Sequence, residues 1–600
     1  MRETLRRVWG YAGFLPLQED AVRAVLEGRD SLVVLPTGGG KSLCYQAPAV
    51  YLDRLAVVVS PLIALMKDQV DGLRQDGVAA AYLNSSQSRP ERAAVERALA
   101  FERLNLLYVA PERLMLPDFA EHLRRARPAF FAVDEAHCIS QWGHDFRPEY
   151  RQLRVLRELF PQVAVHGYTA TATPQVRADI IAELRLADPR VLVGSFDRGN
   201  LVYRVQPRTD RSRQVLGVIE RHPGQAGIVY CIRRSEVDEL TAALVRRGVS
   251  ALPYHAGLDD GERRRAQDAF VNERVDVVVA TVAFGMGIDR SNVRYVVHAG
   301  MPKSLEHYQQ EAGRAGRDGL QAECVLLWSG ADYGLWKSVI ERDGMPAPGS
   351  LRKLGEMFAF CQDTACRHRA LVRYFGQEHP GGCAACDVCL GEVAVADDSA
   401  SIAASILRGV AELGGRFGAL HVADVLTGAA TERIRTLKHD GLPCYGALDT
   451  TSKHDVRTWI DQLIGQGLLT RSDGQYPTLA LTANGARVLR GETTAGSLSR
   501  ISRAVHARGD RQRRDDEQSE AGTPGPPESQ RLFEALRALR RTLADERGVP
   551  PYVIFSDASL REMVRLKPVT ESAFLAVKGV GEWKSRTFGE RFIAVIRAQS

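Results

Sequence analysis

The most constraining feature of the sequence is a glycine-rich loop between a short apolar run and a helical segment. The loop spans residues 35–42 and reads Leu-Pro-Thr-Gly-Gly-Gly-Lys-Ser. Residues 31–34 before it are typical of a buried strand, and residues 44–50 after it are typical of a helix. A strand, a glycine turn and a helix start in this order predict a phosphate-binding loop.

The residue types of this loop suit a nucleotide triphosphate. Consecutive glycines allow backbone N–H groups to approach an anion closely, and the positive end of the following helix dipole adds to the attraction. Lys41 is predicted to contact the outer phosphates and Ser42 to ligate Mg²⁺. The predicted nucleotide contacts are Thr37, Gly38, Gly39, Gly40, Lys41 and Ser42. Leu35 stands where a strict GxxxxGK[ST] pattern has glycine, and the alternative is a flexible turn beside a surface lysine.

Length and charge limit the class of protein. With 600 residues the chain is expected to form about three to five domains. The net charge of +6 permits a polyanionic partner without requiring one. The N-terminus has no apolar signal segment, and no stretch reaches the roughly 18 apolar residues of a membrane span. We therefore expect a cytosolic protein.

Short apolar strands alternate with helical segments through the first half of the chain. This rhythm predicts one parallel α/β lobe over residues 1–200 and a second over residues 201–345. Two such lobes in tandem suggest a nucleotide held in the cleft between them. The candidate strands are 32–35, 56–60, 105–109, 130–133 and 163–169 in the first lobe, and 227–231, 275–280 and 295–298 in the second.

Two adjacent carboxylates follow one of these strands. Asp134 and Glu135 come directly after the apolar run 131–133, so they lie at the edge where open α/β sheets place their ligands. Asp134 is suited to holding Mg²⁺ through water, and Glu135 to orienting the attacking water as a general base. Their position about ninety residues after the glycine loop favours a shared ATP site.

The glycine loop and the sequence Asp134-Glu135-Ala136-His137 resemble the first two motifs of superfamily-two helicases. The following segment, residues 138–150, resembles the aromatic-rich loop of RecQ helicases. Stacking of a base on an aromatic ring is worth about 1–3 kcal/mol, and an arginine adds a phosphate contact. The resemblance implies that this loop couples DNA binding to hydrolysis. The alternative is that its aromatic rings only fill the core. The predicted DNA contacts in the loop are Trp142, His144, Phe146 and Arg147.

Other motifs of the first lobe fall in the order that this family shows. Residues 10–18 are similar to its adenine-reading segment, with Tyr11 suited to stacking and Gln18 to hydrogen bonding. Leu15 stands where the family usually has arginine, which predicts a weaker contact with the base. Further segments resemble the family's strand-contacting motifs and the motif that links hydrolysis to movement: residues 60–69, 110–114 and 169–172.

The second lobe carries two more segments of this kind. Residues 280–289 and 308–319 resemble helicase motifs five and six, and the resemblance implies that Asp289 contributes to the nucleotide site. Arg314 and Arg317 are three residues apart, so on a helix they share a face. We favour Arg317 as an arginine finger for the γ-phosphoryl group and Arg314 as its support. A solvated basic helix is the alternative.

Half of the ten cysteines lie in one short stretch of the chain. Four of them have the spacing of a closed tetrahedral zinc site, and the zinc-binding subdomain of RecQ helicases has the same layout. We assign this subdomain to residues 346–395 and the fifth cysteine, Cys361, to a helix interior. His368 and His379 remain alternative ligands. The predicted zinc ligands are Cys366, Cys383, Cys386 and Cys389.

Three segments complete the chain. Residues 396–495 are interpreted as a winged helix, residues 496–529 as a flexible linker and residues 530–600 as a small helical domain. The last domain resembles the C-terminal domain shared by RecQ helicases and RNase D, and residues 531–600 contain 13 Lys or Arg against 8 Asp or Glu. The glycines at 579 and 581 could admit a phosphate, with Lys584 as a DNA contact. Nucleic-acid binding and protein contact stay equally open for this domain.

The resemblance covers the chain apart from the linker and implies an ATP-dependent 3′-to-5′ DNA helicase of repair and recombination. The expected cofactors are ATP, Mg²⁺ and Zn²⁺. The expected partners are single-stranded and duplex DNA, with single-strand-binding and other repair proteins. We expect a monomer in the bacterial cytoplasm, associated with the nucleoid. The rival functions are a superfamily-two RNA helicase and a DNA-binding scaffold that uses ATP only to change its grip.

Overall fold

The computed structural model describes most of the chain and shows a multidomain α/β protein. The described residues are 1–84, 87–143, 145–285, 290–342, 349–472, 477–496, 498–501 and 527–599. Two parallel-sheet lobes come first, and a helical subdomain, a winged-helix domain and a small helical domain follow. The predicted fold class is confirmed.

The first lobe is built on a seven-stranded sheet in which every pair of neighbouring strands is parallel. Its strands are β1 (Ser31–Val34), β2 (Ala56–Val59), β3 (Ala80–Leu83), β4 (Leu106–Val109), β5 (Phe130–Val133), β6 (Ala164–Thr169) and β7 (Arg190–Val193). The order across the sheet is β3-β4-β2-β5-β6-β1-β7. β5, which precedes the paired carboxylates, is the central strand, and β1, which precedes the glycine loop, lies between β6 and the edge strand β7. Both strands are paired on each side and are fully buried.

The second lobe repeats this arrangement with six parallel strands. They are β8 (Leu201–Pro207), β9 (Ala226–Tyr230), β10 (Ala251–Tyr254), β11 (Val277–Ala280), β12 (Val293–His298) and β13 (Ala322–Trp328). The order across the sheet is β10-β11-β9-β12-β13-β8. The five strands predicted in the first lobe and the three predicted in the second are all present, with ends shifted by one or two residues.

The sequence interpretation missed strands that lie mainly at the sheet edges. β3, β7 and β10 are edge strands with weak sequence signals. β3 begins with two alanines, which have low strand propensity, and β10 contains Pro253, which only an edge strand tolerates well.

Helices cover both faces of the two sheets. In the first lobe they are Arg2–Trp9, Gln18–Leu26, Leu43–Leu52, Ile63–Gln75, Arg89–Ala100, Pro111–Leu114, Pro117–Ala126, Pro148–Arg151, Val155–Leu159 and Pro174–Glu183. In the second lobe they are Arg211–Arg221, Arg234–Val245, Asp260–Val271, Leu305–Ala312 and Gly330–Arg342. Across the described parts of the chain, no helix is long and apolar enough to cross a membrane.

The two middle domains are mostly helical. The cysteine-rich subdomain has the helices Ser350–Gln362 and Arg367–Tyr374, and the winged-helix domain has Ser399–Glu412, Ala419–Leu426, Glu432–Thr436, Lys453–Gly465 and Ala483–Leu489. The predicted wing is an antiparallel pair, β15 (Leu469–Arg471) with β16 (Leu479–Leu481). Its tip, residues 473–476, lies outside the described residues.

Part of the predicted linker forms a strand. Residues 499–501 are β17 (Ser499–Ile501), which pairs antiparallel with β14 (Val393–Val395). Trp459 donates its indole N–H to the Ser499 carbonyl at 3.0 Å. These contacts bring both ends of the winged-helix domain together, so residues 499–501 pack with that domain. The rest of the predicted linker lies largely outside the described residues.

The C-terminal domain packs five helices around one core: Pro527–Arg547, Pro551–Ile554, Asp557–Leu566, Glu571–Leu575 and Glu582–Gln599. It also touches both lobes. The side chain of Glu273 in the second lobe is only 5% exposed and forms ion pairs with Arg537 at 3.0 Å and Arg540 at 2.8 Å. Lys584 pairs with Asp76 of the first lobe at 3.1 Å. The domain therefore bridges the two lobes by charged contacts.

Candidate active site between the lobes

The glycine loop follows β1 as predicted, and its backbone conformation explains the glycines. Gly38 and Gly40 have φ angles of 84° and 70°, which side chains other than glycine rarely adopt. Leu35, at the position where the strict pattern has glycine, is buried in the core. A β-carbon at Gly194 would lie 2.8 Å from the Leu35 side chain. The departure from the pattern is therefore a packing residue that leaves the phosphate-binding end of the loop intact.

A cavity of about 310 Å³ lies between the lobes and collects most of the predicted site. The first lobe lines it with Thr37, Gly38, Gly40, Lys41, Ser42, Asp134 and Glu135. The second lobe contributes Ser291, Gln310, Arg314 and Arg317. Residues almost three hundred positions apart thus meet in one place, with two carboxylates facing three cationic side chains.

The paired carboxylates have different electrostatic environments. Burial and the neighbouring Glu135 carboxylate raise the pKa of Asp134. Burial alone would raise the pKa of Glu135 as well, but Lys41, His137 and Arg314 outweigh it and lower that pKa. Glu135 is therefore held as a carboxylate, the form that a general base requires. Its Oε2 atom lies 3.3 Å from Nδ1 of the buried His137.

His137 connects the carboxylates to the end of a neighbouring strand. Its Nδ1 atom lies 2.9 Å from the Thr169 hydroxyl, which in turn lies 3.4 Å from the Thr171 backbone N–H. Although burial alone would lower the pKa of His137, the neighbouring Cys138 and Glu135 raise it. A change at Glu135 can therefore be transmitted through His137 to the segment 169–172.

The predicted adenine-reading segment contacts the glycine loop. Gln18 is almost fully buried and donates its amide N–H groups to the carbonyls of Gly39 at 3.2 Å and Gly40 at 3.1 Å. Its side-chain oxygen accepts the Leu15 backbone N–H at 2.8 Å. Gln18 thus fixes the loop in this structure, and neither Gln18 nor Tyr11 lines the interlobe cavity. Base contact by these two residues stays a prediction.

The aromatic-rich loop is anchored from the other side of the cleft. Trp142 packs partly against the core of the first lobe. Its carbonyl accepts a hydrogen bond from the Lys353 ammonium, and Lys353 also pairs with Glu306 of the second lobe at 2.9 Å. Sequence reasoning gave no indication of Lys353, since nothing local marks it. The loop next to the carboxylates is therefore tied to the lobe that carries the arginines.

Arg147 links the aromatic-rich loop to another predicted motif. Its guanidinium donates to the Pro61 carbonyl at 3.0 Å and to the Asp145 carboxylate at 3.1 Å. These bonds join the loop to the segment 60–69, and the phosphate contact of Arg147 stays a prediction. Phe146 lies under the Arg151 guanidinium, 5.5 Å from ring centre to carbon. The predicted site residues His144 and Asp289 lie outside the described residues.

The four predicted zinc ligands lie together. The sulfur atoms of Cys366, Cys383, Cys386 and Cys389 all fall within 4.8 Å of one another. Two of the sulfurs accept backbone N–H groups, Cys383 from Ala385 at 3.4 Å and Cys386 from Cys389 at 3.5 Å. Four thiols this close, with N–H groups directed at sulfur, fit a single tetrahedral Zn²⁺ held for structure.

The alternative ligands are used elsewhere. His368 and His379 both face the Asp197 carboxylate, and the second of these contacts measures 3.4 Å. His368 also contacts the carbonyl of Leu201 at 3.1 Å. Cys361 is buried inside the helix Ser350–Gln362, as predicted. The cysteine cluster thus needs no histidine.

The predicted DNA contact in the C-terminal domain has another role in this structure. Lys584 is largely buried in its ion pair with Asp76. The Gly579 N–H donates to the Gly10 carbonyl at 3.2 Å, and a β-carbon at Gly581 would lie 2.2 Å from the Val8 carbonyl oxygen. The glycines therefore lie against the backbone of the first lobe in this structure. Sequence could not show that this backbone approaches the turn, and DNA contact by Lys584 stays a prediction.

Comparison with protein families divides the chain into five parts. Residues 15–180 match the DEAD/DEAH box helicase model, and residues 210–319 match the helicase conserved C-terminal domain. Residues 331–390 match the RecQ zinc-binding model. Residues 395–500 match the RQC domain, and residues 529–596 match the HRDC domain. These five models cover both lobes and all three domains that follow.

Curated proteins resemble the chain over almost its whole length. The chain is 41% identical to the "ATP-dependent DNA helicase RecQ" of Pasteurella multocida (strain Pm70), covering 99% of this chain and 93% of that protein. It is 39% identical to the "ATP-dependent DNA helicase RecQ" of Bacillus subtilis (strain 168), covering 99% of this chain and 98% of that protein. The likeness thus includes the order of all the domains.

Proposed function

Because the chain belongs to the RecQ family of ATP-dependent DNA helicases, we propose that it hydrolyses ATP between its two lobes and moves 3′ to 5′ along single-stranded DNA. The observation that carries this proposal is the interlobe cavity, which brings Lys41, Glu135 and Arg317 together from both lobes. An ATPase that drives movement needs its catalytic groups on parts that can separate. The protein then unwinds duplex DNA in repair and recombination.

Each group in the cavity has a distinct task in this proposal. Lys41 and the backbone N–H groups of residues 38–40 hold the outer phosphates. Lys41 and His137 lower the pKa of Glu135 and so keep it ionised, and the carboxylate orients the attacking water and accepts its proton. Arg317, supported by Arg314, stabilises the charge that develops on the γ-phosphoryl group.

The site also fits a magnesium ion. The Asp134 carboxylate is buried, and one of its oxygens accepts the Glu135 backbone N–H at 2.9 Å. Asp134 and the Ser42 hydroxyl would hold Mg²⁺, which neutralises phosphate charge when it is bound. Zn²⁺ at the four-cysteine cluster has a structural role.

The remaining modules handle DNA. The Thr169–His137–Glu135 contacts support a link between hydrolysis and lobe movement. We propose that the aromatic-rich loop stacks on bases of the tracked strand, and that the winged-helix domain holds the duplex ahead. We further propose a cytoplasmic monomer associated with the nucleoid, with single-strand-binding and other repair proteins as partners.

Steady-state ATP hydrolysis tests the proposal. We expect stimulation by single-stranded DNA well above that by RNA of the same sequence, with strand displacement only from duplexes that carry a 3′ tail. Preference for RNA would indicate an RNA helicase. Hydrolysis without displacement from either tail would indicate a scaffold that changes its grip.

The phosphate-loop assignment has its own variant. Lys41→Ala should lower the DNA-stimulated rate by more than a hundredfold while single-stranded DNA binding, measured by fluorescence anisotropy, stays within twofold of wild type. Lys337→Ala, which removes a solvent-exposed lysine paired with Glu341 at 3.8 Å, is the matched comparison for stability. If the Lys41 variant still turned over ATP, the loop assignment would be wrong.

A further inference from the structure

One arginine in the segment between the lobes joins the two halves of the proposed active site. Arg198 lies after β7 and before β8. Its Nη1 atom donates to the Thr37 carbonyl at 2.6 Å, inside the glycine loop. Its Nη2 atom donates to the carbonyls of Ala315 at 3.1 Å and Gly316 at 2.9 Å. A single planar guanidinium thus holds a loop of each lobe.

The second of these loops carries both proposed transition-state arginines. Ala315 and Gly316 lie between Arg314 and Arg317 in the sequence. The two carbonyls that Arg198 binds therefore belong to the turn that presents both cations to the cavity. Arg198 does not line the cavity itself. It is placed to act on the position of Arg317 and not on the nucleotide.

The surroundings of Arg198 leave little room for the two loops to shift. Asn200 accepts the Arg198 Nε–H at 3.3 Å and donates to the carbonyls of Gly316 and Leu320, both at 2.9 Å. A β-carbon on Gly316 would lie 2.5 Å from the Asn200 amide nitrogen, and Gly316 has a φ of 58°. The turn is thus in contact with the interlobe segment along its backbone.

The Arg198 guanidinium donates to uncharged acceptors. Its hydrogen bonds to Thr37, Asn200, Ala315 and Gly316 all end on carbonyl or amide oxygens. Burial lowers the pKa of Arg198, and Arg317 acts in the same direction. Because acceptors on two loops are bonded by different N–H groups of one planar fork, they hold the guanidinium plane in one orientation.

We propose that Arg198 is a positioning residue for ATP hydrolysis, which sets Arg317 against the phosphate loop when the lobes are closed. This inference rests on the proposed function. The geometric reason is that the guanidinium fork bonds both loops at once, whereas one lysine ammonium at the end of a flexible stem cannot match that fork. When the lobes separate, at least one set of these bonds must break, so the arrangement exists only in the closed form.

The test compares Arg198→Met and Arg198→Lys with wild type under saturating single-stranded DNA. We expect kcat for ATP hydrolysis to fall at least thirtyfold in Arg198→Met and at least tenfold in Arg198→Lys. The KM for ATP and the affinity for a fluorescent ADP analogue should change by less than threefold. A kcat within threefold of wild type in either folded variant overturns the proposal, and so does a loss confined to KM and ADP affinity.

A double variant separates positioning from an independent effect. Adding Arg198→Met to Arg317→Ala should lower kcat by no more than about twofold beyond Arg317→Ala alone, because Arg198 acts through Arg317. Losses that multiply would overturn the proposal. Thermal unfolding of every variant shows whether the fold is intact.

Arg157→Met is the matched structural control. Arg157 pairs with Asp30 and donates to the Val163 carbonyl at 3.4 Å, away from the cleft. It should lower the thermal midpoint without a selective loss of kcat. If wild type itself shows no DNA-stimulated hydrolysis, the proposed function fails. If wild type is active and the Arg198 variants match it, only the positioning role fails.

Discussion

The cysteine cluster and the interlobe cavity differ in how their groups are brought together. The four cysteines come from residues 366–389 and lie in one subdomain. The cavity combines residues 36–42 of the first lobe with Arg314 and Arg317 of the second. The cluster keeps its geometry whatever the lobes do, whereas the cavity loses its geometry when they part. A metal held for structure needs permanence, and a site that drives movement needs separable halves.

The largest expected effect tests the permanent site. Cys386→Ser removes a buried ligand, and structural Zn²⁺ in small domains contributes about 10–16 kcal/mol of apparent binding free energy at neutral pH. We expect metal analysis to show zinc falling from about one per chain to almost none, together with a drop in soluble yield. Cys361→Ser, on the neighbouring helix, should keep its zinc. Full zinc occupancy in Cys386→Ser would show that Cys386 is not a zinc ligand and that the cluster is not the permanent site proposed here.

The interlobe cavity is tested by replacing its proposed general base, Glu135. Glu135→Gln keeps the size of the side chain but cannot take a proton, so kcat for ATP hydrolysis should fall by about 10²–10⁴. Zinc content and ADP affinity should be unchanged, because the cluster and the phosphate loop are intact. Glu158→Gln, a surface residue of the same lobe paired with Arg185 at 3.0 Å, is the control. A normal kcat for ATP hydrolysis in Glu135→Gln would show that another residue is the general base.

A cluster of buried charged residues within the second lobe also keeps its geometry when the lobes move, and it contains no predicted metal ligand. Glu323 is buried and accepts from Arg204 at 2.9 Å, Arg221 at 2.6 Å and His222 at 2.9 Å. Burial alone would raise the pKa of Glu323, but His222, Arg221 and Arg204 outweigh it and hold the pKa well below the usual range. A lowered folded-state pKa stabilises the fold above the unfolded-state pKa, and this stabilisation is lost as pH falls through the folded-state value.

Glu323→Gln should therefore cost about 1–3 kcal/mol in the free energy of unfolding at pH 7. The difference from wild type should shrink as the pH drops below about 4.5, where unfolded glutamate takes up a proton. Urea unfolding midpoints at pH 7 and pH 4 measure both effects. An equal difference at the two pH values would show that the charge of Glu323 does not carry the stabilisation.

The smallest expected effect concerns a contact between separate domains. Asp76→Asn removes the charge partner of Lys584 and should weaken docking of the C-terminal domain by about 1 kcal/mol, since the pair is only partly solvated. Hydrogen exchange should speed up several-fold in the segment 578–584. Asp71→Asn breaks the ion pair with Lys67 inside the first lobe and should leave that segment unchanged. Unchanged exchange in Asp76→Asn would show that the docking does not depend on this pair.

Sequence predicted best what depends on short spacing. Three features have recognisable local patterns: the glycine loop, the pair Asp134 and Glu135, and the cysteine spacing. Their positions could therefore be predicted without knowledge of the fold. β1 and β5 had strong signals because parallel strands that are paired on both sides and fully buried are mostly apolar. The fold class followed from the same rhythm.

Contacts across long sequence separations could not be read in this way. Arg198 is 161 positions from Thr37. No local sequence pattern distinguishes it from the other lysines and arginines, which number 79 in all. Lys353 and Trp142 are 211 positions apart. Lys584 was assigned to DNA because its turn is basic and glycine-rich, while its partner, Asp76, lies in another domain. The sequence showed the charge of each side chain but not which residue it contacts in the fold.

The C-terminal domain acts as a noncovalent cross-link between the two lobes. On the second lobe, Arg537 and Arg540 pair with the Glu273 carboxylate. On the first lobe, Lys584 pairs with Asp76, and the Gly579 N–H donates to the Gly10 carbonyl. Because one domain makes both sets of contacts, wide separation of the lobes requires at least one set to break.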